Sequence, residues 1–99
     1  MGIEQIQRLC KQNALEVTHH AQKRLEQRNI LPEQVQQAIL VGEIIEEYPD
    51  DYPYPSCLIL GNGLHMVIAT TENMLYLVTA YAPNVIRWDD TFKLRKERN

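Results

Sequence analysis

The chain has 99 residues and a mass of 11.6 kDa, which is enough for one domain over residues 1–99 and too little for an enzyme with a cleft between two lobes. Hydrophobic residues make up 44% of the sequence and charged residues 23%, a composition that excludes collagen-like, low-complexity and intrinsically disordered proteins. The net charge of -3 speaks against a protein that coats nucleic acid by bulk positive charge.

The charges are segregated along the chain. Residues 29–86 contain acidic residues but no lysine or arginine, so all ten basic residues lie in the two ends. A local basic site can therefore exist in an acidic protein, if the second predicted helix and the C-terminal tail meet on one face.

Apolar runs such as Cys57–Leu60 are far shorter than the roughly 20 residues that span a bilayer. The N-terminus lacks the basic and apolar regions of a signal peptide, so we expect a cytoplasmic protein that does not bind membranes. Cys10 and Cys57 are predicted to be reduced thiols in or near the core. Because no Cys or His pair has the spacing of metal ligands, we expect neither a metal nor a cofactor.

Three helices are predicted in the first 42 residues. Apolar residues at helical spacing predict the first over residues 2–13, and Thr18 is a suitable N-cap for the second, over residues 19–28. Pro32 begins the third, and Gly42 stands where a helix C-terminus favours a left-handed residue.

Strands are predicted after Gly42, where the hydrophobic period changes. They are residues 44–48, 56–60, 64–70 and 74–81, with a proline-rich loop at 49–55 and a tight turn at Gly61-Asn62-Gly63. Residues 15–17 are predicted to be a short extended link. The fold class is therefore α+β: a helical part (2–42) packed on a small antiparallel sheet (43–82) of three to four strands, followed by a tail (83–99).

His20, Arg24 and Arg28 are spaced four residues apart, so the second helix presents one imidazole and two guanidiniums along one edge. Two arginines beside a histidine can hold a phosphate and move a proton, as RNA cleavage by 2'-hydroxyl attack requires. Alternatively, the arginines pair with acidic residues of the middle segment and are structural. Candidate partners are Glu46, Glu47, Asp50 and Asp51.

His65 and Tyr81 are predicted in strands. The structural interpretation is a buried histidine with a hydrogen-bonded ring and a tyrosine that packs on the sheet. The functional interpretation makes His65 a base and Tyr81 a phosphate ligand or proton donor. Trp88 and Phe92 either fasten the tail to the sheet or stack on a base or a partner.

Further residues lie in a fixed order along the chain: Thr18-His19-His20-Ala21, Arg24, Arg28-Asn29-Ile30, Glu33, Val35, Gly42-Glu43-Ile44-Ile45-Glu46, Tyr48-Pro49, Pro53, Pro55-Ser56, Leu64-His65-Met66-Val67, Thr79, Tyr81, Pro83, Trp88, Phe92-Lys93 and Arg95. This set, from about residue 14 to 96, resembles the bacterial domain-of-unknown-function family 4258. Leu31 departs from the family, which usually has a serine cap there, and so does Ala80, where a bulkier residue is common.

The resemblance implies a RelE/ParE-like toxin fold and a neighbouring zinc-finger antitoxin of the MqsA type. The chain is therefore a candidate toxin of a type II toxin–antitoxin pair, with RNA as its substrate if it is a metal-independent mRNA interferase. The residues that match the family positions and carry the hypothesised site are His20, Arg24, Arg28, His65 and Tyr81.

Two other interpretations remain open. The acidic, tyrosine-rich segment 46–54 could make the chain a non-catalytic module that docks a basic partner protein. A small oligomer such as a homodimer, without activity of its own, is the third.

Overall fold

The computed structural model describes residues 1–84 and 86–96. This part of the chain contains three helices and five strands. In chain order they are α1 (Ile3–Lys11), β1 (Leu15–Val17), α2 (His19–Gln27), α3 (Pro32–Leu40), β2 (Glu43–Tyr48), β3 (Ser56–Gly61), β4 (Leu64–Thr70) and β5 (Leu75–Tyr81).

The strands form one mixed sheet in the order β1-β5-β4-β3-β2. Strands β2 to β5 are an antiparallel meander, whereas β1 runs parallel to β5. The α+β prediction, with helices packed on a sheet, is confirmed. The sheet is larger than the three to four antiparallel strands predicted, because residues 15–17 are a strand and not a link.

The ends of α2 and α3 follow from local hydrogen bonds. The Thr18 hydroxyl accepts a bond from the Ala21 amide at 3.1 Å, as predicted for an N-cap, and Asn29 adopts a left-handed φ of 56° after the helix. Leu31 precedes α3, but its apolar side chain cannot accept a hydrogen bond from the first amides of the helix. The Gln34 side chain instead accepts a bond from the Leu31 amide at 2.7 Å, which satisfies one of the free amides there.

One face of the sheet packs on the helices and forms the main core. The residues that it buries are Ile6, Leu9, Cys10, Ala21, Leu25, Val35, Ala38, Ile39, Cys57, Ile59, Met66, Ile68, Leu75, Leu77 and Ala80. Both cysteines are buried free thiols, as predicted. No helix in the described part of the chain is both long and apolar enough to span a bilayer.

Two glycines allow α3 to approach β3 closely. A Cβ at Gly61 would lie 1.9 Å from the Ala38 carbonyl oxygen, and one at Gly42 would lie 2.7 Å from a methyl carbon of Ile59. The left-handed conformation predicted at Gly42 is wrong, since among the described glycines only Gly63 has a positive φ. Gly42 is needed for space, whereas the predicted turn is confirmed by the positive φ of Asn62 and Gly63.

We expect Gly61→Ala to lower the free energy of unfolding by about 2 kcal/mol or more, because the added methyl group meets backbone that cannot rotate away. Urea denaturation followed by circular dichroism measures this. Val41→Ala, at an exposed position after α3, is the control and should change stability by less than about 0.5 kcal/mol. Equal stabilities of the two variants would contradict the close approach of α3.

Candidate functional site

Helix α2 lies along strand β5 and is bonded to it at both ends. At its start, the Thr18 hydroxyl donates to the Leu77 carbonyl at 3.1 Å. At its end, the Arg28 guanidinium donates to the Ala80 carbonyl at 2.8 Å and to the Thr79 hydroxyl at 3.1 Å. The exposed edge of α2 therefore follows the last part of β5.

His20 and Arg24 on α2 and Arg28 directly after it are all exposed, and we call these three residues the cationic edge. Eight residues of helix correspond to a length of about 12 Å, so one small ligand can contact two of these side chains and an extended polyanion all three. Arg24 donates to the neighbouring Gln27 side chain at 3.3 Å. Within residues 1–84 and 86–96, no acidic side chain forms an ion pair with either arginine.

The acidic residues of β2 pair with the C-terminal segment, by which we mean residues 86–96. Arg95 donates two hydrogen bonds to the Glu46 carboxylate, at 2.8 and 3.0 Å, and Lys93 lies 2.8 Å from Glu43. The Tyr48 hydroxyl also donates to Glu46. Glu46 was one of the candidate partners for the α2 arginines, and the structure pairs it with Arg95.

Tyr81 lies at the end of β5, next to the cationic edge. The guanidinium carbon of Arg28 is 5.9 Å from the centre of the Tyr81 ring, within the range of a cation–π contact. Tyr81 is half-buried, so part of its ring remains accessible beside Arg28. The structure thus brings two of the predicted site residues together directly.

His65 pairs with Tyr81 across β4 and β5, on the sheet face that the helices leave uncovered. Its side chain is 0% exposed. The Nε2 atom lies 2.6 Å from the Phe92 carbonyl oxygen, and because a carbonyl only accepts, Nε2 carries the proton. Nδ1 is then a buried acceptor without a hydrogen-bond partner in the described chain.

Five side chains form a continuous row across this face. The row runs from Arg28 to Tyr81, His65, Trp88 and Arg95. Ring centres are 5.5 Å apart between Tyr81 and His65 and 4.3 Å apart between His65 and Trp88, both with edge-to-face geometry. The Arg95 guanidinium carbon lies 4.6 Å from the centre of the Trp88 ring. Arg28, at the end of α2, and Arg95, in the C-terminal segment, therefore lie at opposite ends of one row on this face.

Burial and charge shift several pKa values in this row. Burial is the largest effect on His65 and lowers its pKa, against the opposing effects of the Phe92 carbonyl and Glu46. Burial also raises the pKa of Tyr81. The Arg95 hydrogen bonds lower the pKa of Glu46, and burial raises the pKa of Tyr48 to about 12. His65 is therefore neutral near pH 7 and the Glu46–Arg95 pair is charged.

His20 and Arg24 stand apart from this row, since the structure records no contact between them and His65. His65 is enclosed and bonded through Nε2, which matches the structural interpretation of this residue. Trp88 is 3% exposed and fastens the C-terminal segment to the sheet. Sequence reasoning missed the pairing of Glu46 with Arg95, for which the only signal was the separation of acidic and basic segments.

The acidic, tyrosine-rich segment is partly exposed. Tyr52 is 95% exposed, whereas Tyr54 stacks on Tyr76 with ring centres 5.7 Å apart. Asp51 accepts a hydrogen bond from Ser56. Residues 50–55 are nevertheless all exposed, and Tyr54 keeps 42% of its surface accessible, so this stretch can contact another molecule. Elsewhere in the described chain, no group of three His, Cys, Asp or Glu side chains is placed to hold a metal ion.

Removing the charge of Glu46 should loosen the C-terminal segment. We expect Glu46→Gln to lower the free energy of unfolding by about 1 kcal/mol, because Glu46 accepts bonds from both Arg95 and Tyr48. Glu43→Gln removes the more exposed Lys93 pair and should cost less than about 0.5 kcal/mol. Urea titrations above pH 6 compare the two variants. Equal stabilities of the two variants at pH 7 would contradict the pairing.

The contribution of Glu46 to stability depends on pH. Because the pKa of Glu46 is lowered in the folded protein, this contribution is lost as the pH falls through that pKa.

Comparison with known proteins identifies the family of the chain. No curated protein and no solved structure matches the sequence. A family model described as "Domain of unknown function (DUF4258)" matches residues 17–82, from the end of β1 to just beyond β5. The matched range includes the cationic edge, His65 and Tyr81, and ends before the C-terminal segment. The chain therefore belongs to the DUF4258 family, as its ordered motifs suggested.

Proposed function

We propose that this protein is the toxin of a type II toxin–antitoxin pair and that it binds RNA through the cationic edge of α2. One observation supports this most strongly. Neither Arg24 nor Arg28 has an ion pair among the described residues, and two of the four acidic candidates are bonded elsewhere: Glu46 to Arg95, and Asp51 to Ser56. The cationic edge stays exposed and available to an anion.

The geometry of the edge suits a phosphodiester chain. Arg24 and Arg28 are one helical turn apart, about 6 Å along the axis, and each guanidinium can donate two parallel bonds to a phosphate. Arg28 already lies over the Tyr81 ring, so an aromatic surface adjoins the charge. Stacking of a base on the accessible part of a tyrosine ring adds affinity without requiring a particular sequence. A single strand laid along α2 would reach both features.

Cleavage of the bound RNA is the finer part of the proposal. The 2'-hydroxyl oxygen attacks phosphorus while the bond from phosphorus to the 5'-oxygen breaks, giving a cyclic phosphate and a 5'-hydroxyl end. His20 accepts the proton from the 2'-hydroxyl, and Arg24, one turn along the helix, balances the charge on phosphorus. Arg28 and Tyr81 hold and orient the adjacent nucleotide, and water supplies the proton to the 5'-oxygen. We assign the base to His20 because it is exposed, whereas His65 is enclosed and bonded to Phe92. No metal takes part in this scheme.

The fold is compatible with the toxin proposal. Helices cover one face of the sheet, which is the arrangement that the RelE/ParE-like resemblance implies. The partner protein in this proposal is a zinc-finger antitoxin of the MqsA type, and the compartment is the cytoplasm. Binding of the antitoxin over the cationic edge would block the RNA.

A second candidate function is a protein-interaction module. The tip of the acidic loop presents Tyr52, which is 95% exposed, beside Asp50 and Asp51. Tyrosine with a polar hydroxyl on a large apolar ring is enriched at interface hot spots. The partner that this charge favours is a basic protein.

RNA binding is tested with the double variant Arg24→Gln/Arg28→Gln. We expect its affinity for single-stranded RNA to fall at least about tenfold, and the slope of log affinity against log salt to fall by about 1.4, since each lost phosphate contact removes about 0.7. Fluorescence anisotropy over a salt series measures both. Arg8→Gln on α1 is the matched control, because it removes the same charge from another exposed helix position and should leave the slope unchanged.

The same preparation separates binding from cleavage. His20→Gln keeps both arginines of the cationic edge and should retain most of the RNA affinity, but it should neither cleave RNA nor arrest growth when expressed without a partner. RNA binding without cleavage by the unaltered protein would refute the nuclease step alone. Equal RNA affinities of the double variant and Arg8→Gln would refute the cationic edge as the binding surface.

The interaction module makes a different prediction. Tyr52→Ala removes an exposed ring and should weaken the complex with the product of the neighbouring gene by about 2 kcal/mol, without changing the stability of the free protein. Isothermal titration calorimetry measures the complex. Tyr54→Ala alters a ring that is stacked on Tyr76 and serves as the comparison, since its loss should lower stability instead. Unchanged affinity for the Tyr52 variant would contradict this function.

A further inference from the structure

The C-terminal segment covers the second face of the sheet with few attachments. Among its described apolar residues, Trp88 is buried, whereas Ile86 and Leu94 are largely exposed. Within the segment, three backbone hydrogen bonds close a short loop, and two of them flank the Trp88–Arg95 bridge. Its attachment to the sheet therefore depends on Trp88, on the two ion pairs with β2 and on the bond from His65 to the Phe92 carbonyl.

The hydrogen bond between His65 and the Phe92 carbonyl joins a buried imidazole to a residue with a constrained backbone. Phe92 has a φ of 60°, which is unfavourable for a residue with a bulky side chain and persists where surrounding contacts enforce it. His65 is one of those contacts, because its Nε2 donates to the Phe92 carbonyl at 2.6 Å. Nδ1 of the same ring is buried and has no partner in the described chain. The closed arrangement thus accommodates a neutral imidazole only.

We propose that the C-terminal segment is an acid-released cover, in which protonation of His65 detaches residues 86–96 from the sheet and uncovers the His65 ring. A proton on Nδ1 would create a buried donor without an acceptor and a positive charge in an enclosed site. This inference goes beyond the proposed function and does not depend on it.

Burial, and not the surrounding charge, opposes the protonation of His65, since Glu46 favours the proton more strongly than Arg95 disfavours it. Arg95 from the C-terminal segment repels a positive charge on His65 from across the Trp88 ring, and Arg28 lies farther away, beyond Tyr81. Glu46 on β2 attracts it, but the Glu46 carboxylate is already occupied by Arg95 and Tyr48. Tyr81 on β5 stays neutral, since burial raises its pKa. These are the titratable and charged groups that face His65 among the described residues.

The sign of the pH dependence follows from burial. Burial lowers the pKa of His65 while the segment is closed, and the ring regains its ordinary value near 6.5 when the segment opens. The open form therefore binds a proton more readily. The closed form is most stable at pH values above the ordinary pKa of histidine. It becomes less stable as the pH falls toward the lowered pKa of His65. Each unit of difference between the two pKa values changes the ratio of closed to open molecules about tenfold.

Trp88 is the only tryptophan in the chain and reports the cover directly. We expect acrylamide quenching of Trp88 to increase and its emission to shift to longer wavelength between about pH 7.5 and about pH 5.5, with far-UV circular dichroism unchanged. His65→Gln should abolish this dependence, since an amide can donate to Phe92 but does not titrate in this range. His20→Gln, which removes an exposed histidine, should retain it.

Three outcomes would overturn the proposal. They are quenching that stays constant over this range, the same pH dependence in His65→Gln, and a fluorescence change that coincides with loss of the far-UV signal. If His65→Gln does not fold, an NMR titration of the unaltered protein decides the question. The His65 ring signal must then titrate with the same midpoint as the Trp88 fluorescence, and a different midpoint would refute the link.

Discussion

Helix α3 lies so close to strand β3 that the Ala38 carbonyl occupies the place where a side chain at position 61 would begin. This contact fixes the distance between the helical layer and the sheet. It also fixes which residues of each strand point toward the helices, since side chains alternate along a strand. With Gly61 and Ile59 facing α3, Leu58 faces the opposite side, and so does His65 through the register of β3 and β4. The second face of the sheet is a consequence of this packing.

Strand β2 carries acidic side chains and the C-terminal segment carries basic ones, and the two segments pair with each other. Their pairing through Glu46 and Arg95 covers part of the second face, and Arg24 and Arg28 form no ion pair in the described chain. A surface selected only for stability would interleave opposite charges on α2, because neighbouring arginines repel. The cationic edge is therefore a cost to the free protein that binding of an anion would relieve.

Most helices and strands could be predicted from the sequence, because their signals are local. Helical spacing, the Thr18 cap and the turn at 61–63 lie within a few residues of the elements that they define. Strand β1 escaped prediction because three residues are too few to show a period, and its partner β5 is about sixty positions away. Glu46 and Arg95 are 49 positions apart in the sequence. His65 and Phe92, which are joined by a hydrogen bond, are 27 positions apart. Residue types identified the candidates for the site, but only the register of the strands decided which of them meet.

His65 shows how one position links the cover, the charges and the cationic edge. Its ring touches Trp88 on one side and Tyr81 on the other, and Tyr81 in turn lies under Arg28. An enclosed imidazole in this row could be replaced by an apolar side chain if packing were its only purpose, since such a replacement avoids a buried acceptor without a partner. A histidine at this position lowers the stability of the protein and makes the attachment of the C-terminal segment dependent on pH. Because the C-terminal segment also pairs with β2, its release would expose the Glu46 carboxylate and the His65 ring together, so that the charge and the shape of this face change in one step.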